Sequence, residues 1–288
     1  MEMKMELNAE RNWKAVKNVR SSMLNGVLGL FTFSCIFPLF WLAYSSLKTQ
    51  AEFSNSILSL PKSPQFGNYW EAIKLTDMLQ LSWNSVRVTA LSVLLIVVIS
   101  FITGYVTARL DFKGKKLMML YYLFGLLVPV HALLVPVYLL FKQTGLADQW
   151  FTVIIPNVAF NLSMPILLVT SFIVGIPKEI EEAAAIDGLS FSRTMFTIIL
   201  PMAVPVLTTV AILQFIACWN EFSFALVLLK EEALRTVPLG MSHFKSQYET
   251  NYPQLMAGMV LSMLPVAAIY FAFSSRIISG VMSGAVKG

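Results

Sequence analysis

PKEIEEAAAIDGLSFSRTMFTIILP, residues 177–201, is a polar, amphipathic interlude between two long apolar runs. Pro177 suits the first helical position, where its missing N–H costs little, and Glu179, Glu181 and Glu182 load the first turns with negative charge. Ala183, Ala184 and Ala185 follow as strong helix formers. Gly188 permits a positive φ, so the spacing predicts a helix, a sharp turn and a second short helix from about Ser190, closed by Pro201. In that second helix Phe191, Met195, Ile198 and Ile199 fall on one narrow stripe, with Arg193 and Thr194 pointing elsewhere. A short hairpin of this kind reads as a docking surface for another protein.

The rest of the chain sets that hairpin in a membrane. Of 288 residues, 57% are hydrophobic and only 13% charged, and the mean hydropathy is +0.69, too apolar for a soluble domain. After a basic tail at 1–24, six runs are long enough to cross a hydrocarbon core of ~30 Å at ~1.5 Å per residue: 25–47, 88–108, 117–141, 151–174, 202–229 and 255–275. Runs this long cannot be barrel strands, so an all-α polytopic membrane protein with six transmembrane helices is expected. Prolines at 38, 129, 136, 156, 165, 205 and 265 are expected to kink these helices rather than end them. Of the 21 lysines and arginines, 13 fall on the side of the N-terminus and eight on the other. That bias predicts both termini in the cytoplasm, and it puts residues 177–201 there too.

The net charge of +5 is scattered at the ends of apolar runs, which suits topology signals and gives no nucleic-acid patch. Cys35 and Cys218 have no metal-ligand spacing, and no metal site is expected. No G-x-x-x-x-G-K-[ST] motif occurs, Gly114-Lys115 lacking both the upstream glycine and the following hydroxyl. No catalytic motif appears either, so the chain is read as a transport subunit and not an enzyme. If transport is active, the energy enters through another chain.

Glu182-Ala183-Ala184, Gly188, Ile198 and Leu200-Pro201 match every fixed position of the EAA motif, E-A-A, three residues, Gly, nine residues, Ile-x-Leu-Pro. The chain thereby resembles the permeases of type I ABC importers, and PKSPQFGNYWEAI at 61–73, Trp83-Asn84-Ser85, LVPVYLLF at 134–141 and Trp219-Asn220-Glu221-Phe222 resemble their carbohydrate, maltose-type branch. The resemblance implies the type I permease fold, from about residue 25 to the end. It implies that Glu182, Ala183, Ala184, Asp187, Gly188, Ile198, Leu200 and Pro201 contact a cytoplasmic ATPase, with Lys287 in the C-terminal tail as a further contact. The implied partners are a second permease subunit, a dimer of ATPase subunits that holds ATP and Mg, an extracytoplasmic solute-binding protein and a carbohydrate. The implied location is a bacterial or archaeal cytoplasmic membrane.

Glu221 is the one acidic residue inside an expected span. A carboxylate there costs about 2.5–3.5 kcal/mol on insertion scales, so it should face a cavity or a donor. It lines a translocation path with Trp219, Asn220 and Gln214, or it fixes helix packing. His131 and Asn161, with Asn157, divide between path contact and interhelical hydrogen bonding, the latter being the default. The outer segment 48–87 is expected to hold short interfacial helices. In the outer loop 230–254, His243, Tyr248 and Tyr252 either meet the solute-binding protein or belong to the aromatic belt. The alternative function is an ion-coupled secondary transporter using Glu221, which should show an inverted repeat.

Overall fold

The computed structural model describes residues 2–242 and 251–285, with side chains described for 21–242 and 251–273. Every regular element among them is helical. In order these are α1 (Glu2–Ser45), α2 (Gln50–Asn55), α3 (Gly67–Thr76), α4 (Met78–Arg109), α5 (Lys115–Gly125), α6 (Leu134–Gln143), α7 (Ile154–Asn161) and α8 (Ser163–Val174). After them come α9 (Glu179–Ile186), α10 (Phe191–Thr194), α11 (Leu200–Trp219), α12 (Ser223–Leu228), α13 (Val237–Ser242) and α14 (Tyr252–Ala285). Four helices are long and apolar enough to span, at 21–45, 78–109, 191–219 and 252–273, or six if two bent pairs each count as one.

Several boundaries differ from the expected ones, each for a local reason. The expected N-terminal tail is helical from Glu2 into the first span, because its Met, Glu, Lys, Ala and Arg residues favour helix and no Gly or Pro interrupts them. The second long helix begins at Met78 rather than Val88, directly after Asp77 turns left-handed at φ 49. At 32 residues it is about 48 Å long, more than a bilayer core needs. The stretch 117–141 is two helices bent by 91°, and 151–174 is two bent by 47°. Pro136, Pro156 and Pro165 sit in the first turns of α6, α7 and α8, where a missing N–H is tolerated, so they mark starts; Pro38, Pro205 and Pro265 lie inside helices. The stretch 202–229 stops at Trp219, and a short α12 follows the break.

The chain divides into two units, Met1–Glu71 with Asn251–Val260, and Ala72–Thr250 with Leu261–Gly288. In the first, α2 opens on a reciprocal capping box: Thr49 Oγ1 accepts from Glu52 N–H and Glu52 Oε2 accepts from Thr49 N–H, both at 3.1 Å. Asn68 Nδ2 donates to the carbonyls of Ser46 and Lys48 at 2.8 Å, and the Tyr69 and Ser46 hydroxyls bond at 2.7 Å, tying the start of α3 to the end of α1. Tyr252 stacks on Phe53 with ring centres 5.4 Å apart.

In the second unit α4 is the central post. Gly104 lets it approach α8 closely: a Cβ there would lie 2.7 Å from Val169 Cγ1. Ile96, Phe101 and Tyr105 of α4 join Val169 and Ile173 of α8 and Ala203, Val206, Leu207 and Val210 of α11 in one apolar cluster. Near the other end Asn84 Nδ2 donates to the carbonyls of Ala233 (2.7 Å) and Arg235 (3.0 Å), and Ser85 Oγ accepts from Val237 N–H at 2.8 Å. The Asn-Ser pair noted in the sequence therefore holds the segment leading into α13.

Candidate functional site

The 177–201 hairpin is built from its own capping chemistry. Three glutamates crowd the first turn of α9, where the helix dipole favours them. At the other end Gly188, at φ 81, closes a Schellman motif in which its N–H reaches Ala185 O and that of Leu189 reaches Ala184 O. Ser190, extended at ψ 159, starts α10. The second helix does not stop at Pro201. A π-helical segment, Met195–Ile199, joins α10 to α11, and Pro201 lies in the first turn of α11, where its missing N–H is harmless. The hairpin thus runs into the long helix 191–219 without a joint.

One face of the hairpin is turned inward. Ile180 packs on the core cluster, Ala184 is buried, and Ile198 and Leu200 pack against the same cluster, with Ile199 fully buried between them. Thr194, expected to point away, is buried as well. Of the motif positions expected to meet a partner, Ala184, Ile198 and Leu200 therefore seat the hairpin on its own chain. The other face of α9 carries Glu179, Glu182, Ala183 and Ile186, an i, i+3, i+4, i+7 stripe that is exposed throughout, Ile186 at 87%, with Asp187 and Gly188 exposed beyond it.

The inward seat holds a group of residues that the motif does not mark. Glu181 Oε1 accepts from Arg109 Nε at 2.5 Å, and its Oε2 accepts from Tyr105 Oη at 2.9 Å. Arg109 Nη2 also donates to Ile176 O at 2.9 Å, while the Tyr105 ring lies 4.8 Å from that of Phe191. The side chains of Arg109 and Glu181 are 6% and 17% exposed. The last turn of α4 therefore grips the loop before α9, α9 itself and the start of α10. Sequence reasoning missed this clamp, since Arg109 and Glu181 are 72 positions apart; the signal was a basic residue ending one span and a surplus glutamate beside the motif.

Of the residues expected on a translocation path, the structure brings Glu221 and His131 within electrostatic reach of each other. Glu221 caps its own chain, its Oε1 accepting from Phe224 N–H at 2.5 Å and its Oε2 from Ala225 N–H at 3.1 Å at the start of α12. Trp219 is buried, donates from Nε1 to Ser262 O at 3.3 Å and stacks on Phe215. Gln214 is buried in the bundle, its Oε1 without a hydrogen-bond partner among the described residues, and Asn161 Nδ2 donates back to Asn157 O in its own helix. Asn220 and His131 are exposed. A groove of about 650 Å³ between α4, α11 and α14 is lined by Val86, Ile212, Phe215, Trp219 and Phe273, with Ser82 and Thr208 as its polar groups, and its walls suit hydrocarbon better than sugar. Tyr252 is half taken up by its stack on Phe53. His243, Tyr248 and Lys287 lie outside the described residues. Among the described residues no three His, Cys, Asp or Glu side chains gather as metal ligands.

Comparison with known proteins places this architecture. Residues 96–282 match the family of binding-protein-dependent transport system inner membrane components. The chain is 32% identical to the trehalose/maltose transport system permease protein MalG of Thermococcus litoralis, over 90% of this chain and 94% of that protein. It is also 32% identical to the sulfoquinovosyl glycerol transport system permease protein SmoH of Agrobacterium fabrum, over 88% and 89%. In fold it is similar to a chain of a bacterial ABC transporter involved in the import of the acidic polysaccharide alginate, with a TM-score of 0.76 at 23% identity over 88% of this chain and 95% of that one. With the family model covering the second half of α4, the clamp, the hairpin and the helices after it, the chain belongs to the inner membrane components of binding-protein-dependent transport systems, as a permease of the type I ABC importer fold.

Proposed function

We propose that the chain is one of two membrane halves of an ATP-driven sugar importer, and that the exposed face of α9 is its grip for a separate ATPase. The observation that carries this reading is the two-sided hairpin: one face fixed to α4 by Arg109, Glu181 and Tyr105, the other presenting Glu182, Ala183, Ile186 and Asp187 to solvent. Ile186, 87% exposed, gives that face an apolar group for a partner to cover. Glu182 beside it offers a charge-assisted bond to a basic group of that partner.

The mechanism follows from the rigidity of the seat. Closure of an ATPase dimer around ATP and Mg displaces α9, the clamp carries the displacement to the end of α4, and the unbroken run from α10 into α11 carries it into a second long helix. The spans then alternate between inward- and outward-facing states, biased by nucleotide and by the loaded solute-binding protein. On this reading both termini and the hairpin are cytoplasmic, in a bacterial or archaeal cytoplasmic membrane. His243 and Tyr248 face the binding protein on the other side, and Lys287 reaches the ATPase. Relatives with sugar-transport names support the substrate class.

Affinity capture of the tagged chain should bring down a second permease and ATPase subunits. Vesicles holding the complex should take up sugar only with ATP inside and binding protein outside. Uptake by the chain alone under an ion gradient, abolished by Glu221→Gln, would instead establish the secondary transporter.

A further inference from the structure

In the first unit, the loop after α2 doubles back along the end of the first span. Trp41 Nε1 donates to Ile57 O at 3.1 Å and Tyr44 Oη donates to Leu58 O at 2.9 Å. Trp41 lies four residues before Ser45, the last residue of the span, so Ile57 and Leu58 run beside its final turns rather than beyond them. From the other side the fully buried Lys48 donates its ammonium to Ser56 O at 3.0 Å and to Ile57 O at 2.9 Å, and Ser59 Oγ adds a bond to Ser56 O. The carbonyls of three consecutive irregular residues, 56, 57 and 58, are thus all met by side chains. The side chains of Ile57, Leu58 and the nearby Leu60 are left 54%, 66% and 65% exposed.

A loop in water needs no such arrangement, because water satisfies its carbonyls. At membrane depth non-helical backbone persists only where its polar groups are met within the protein. Burying a lysine also carries a cost, visible in Lys48: desolvation lowers its amine from the ordinary lysine value, with Glu52 pulling it part of the way back. The cost is explained if the carbonyls it covers would otherwise face lipid. Aromatic side chains at the end of the span and Lys62 after the loop complete the pattern of an interfacial segment.

We propose that residues 57–60 are a membrane-interface anchor, with Ile57, Leu58 and Leu60 set among the lipid headgroups and first methylenes of the leaflet where α1 ends. The occupant is the lipid surface. It holds the loop at a fixed depth and adds a contact with the bilayer beside the end of α1.

The test uses the assembled transporter with Cys35 and Cys218 replaced by alanine and either Leu58→Cys or Leu60→Cys labelled with an environment-sensitive nitrobenzoxadiazole. It is reconstituted in vesicles of phosphatidylethanolamine and phosphatidylglycerol. The expected result is blue-shifted emission that loses more intensity to a lipid with its nitroxide near the headgroup than to one with it near the chain end. The same quenching should persist with the solute-binding protein bound, while a label at Ser54 stays water-like. Two labels keep the test decisive if one variant folds poorly. Water-like, unquenched emission at both positions overturns the proposal, as does a blue shift that neither nitroxide lipid quenches or that appears only with the solute-binding protein bound.

Discussion

Two interruptions of the long helices use their glutamates in opposite ways. At 220–222, between α11 and α12, both oxygens of Glu221 are occupied by backbone N–H groups of the next helix. At 176–190 two neighbouring glutamates divide the work: Glu181 is taken up by Arg109 and Tyr105, while Glu182 is left in solvent. Residues one apart on a helix point about 100° apart, so one position separates a carboxylate that fixes the fold from one that can meet another protein. A carboxylate already committed to its own chain is a poor candidate for binding anything else. By that standard Glu182 is free to meet another protein, while the Glu221 oxygens already hold the start of α12.

The largest effect on stability is expected from breaking the clamp on one side. Arg109→Met leaves Glu181 buried with only Tyr105 as a donor, and removing one partner of a buried pair typically costs about 3–5 kcal/mol. Thermal unfolding of the purified chain in detergent should show the loss, and Arg109→Met with Glu181→Met should recover much of it. If the single and double variants unfold together, the pair contributes nothing and the rigid-seat picture fails.

Next is Gly188→Ala. A Cβ there would meet nothing within 4 Å, so the cost is the backbone's alone, at φ 81. A non-glycine residue in the left-handed region costs about 1–2 kcal/mol. Unfolding measurements should show that shift with assembly retained; a loss as large as that of the clamp variant would mean the turn is packed rather than merely bent. Gly188→Pro cannot adopt this φ at all, and is expected to leave the chain in the membrane with ATP hydrolysis uncoupled from uptake.

The outcome of reading the sequence divides along the same line, between local and distant causes. Helix-start acids and the glycine after α9 are chemistry within a few residues, and the hairpin was legible from them; the facing of the second helix was not, since Thr194 is buried once α10 docks. The Arg109–Glu181 pair was not, because nothing in a single chain couples positions so far apart until α4 and α9 are docked. Pro201 was misread as a terminator, since a proline in the first turn of a new helix looks the same in sequence as one that ends an old one. The span at 117–141 shows the converse. Its hydropathy is continuous, yet Gly125 and the non-helical Pro129 bound a 91° bend that hydropathy averages away.

A smaller effect is expected at the second interruption. Glu221→Gln keeps one acceptor oxygen for the start of α12 and loses the other. Losing a helix cap costs about 0.5–2 kcal/mol, so a shift near the low end should appear in unfolding, with sugar uptake retained. Retained folding with abolished uptake would reverse the assignment and return Glu221 to the transport path.

The smallest effect on stability, and the sharpest test of the contrast, belongs to Glu182→Lys. The side chain is exposed and makes no hydrogen bond or ion pair among the described residues, and surface changes of that kind stay within about 0.5 kcal/mol. Unfolding should therefore be unchanged. The reversed charge sits in the middle of the exposed α9 stripe, however, and like charges facing each other across an interface weaken assembly and slow encounter. ATPase subunits should be lost from the captured complex, with uptake falling in step. Glu181→Lys, one residue away, should do the reverse in order: a large fall in unfolding temperature first, with loss of assembly as its consequence. If the two variants behave alike, the two faces of α9 are not distinct, and the hairpin is seated differently from the arrangement seen here.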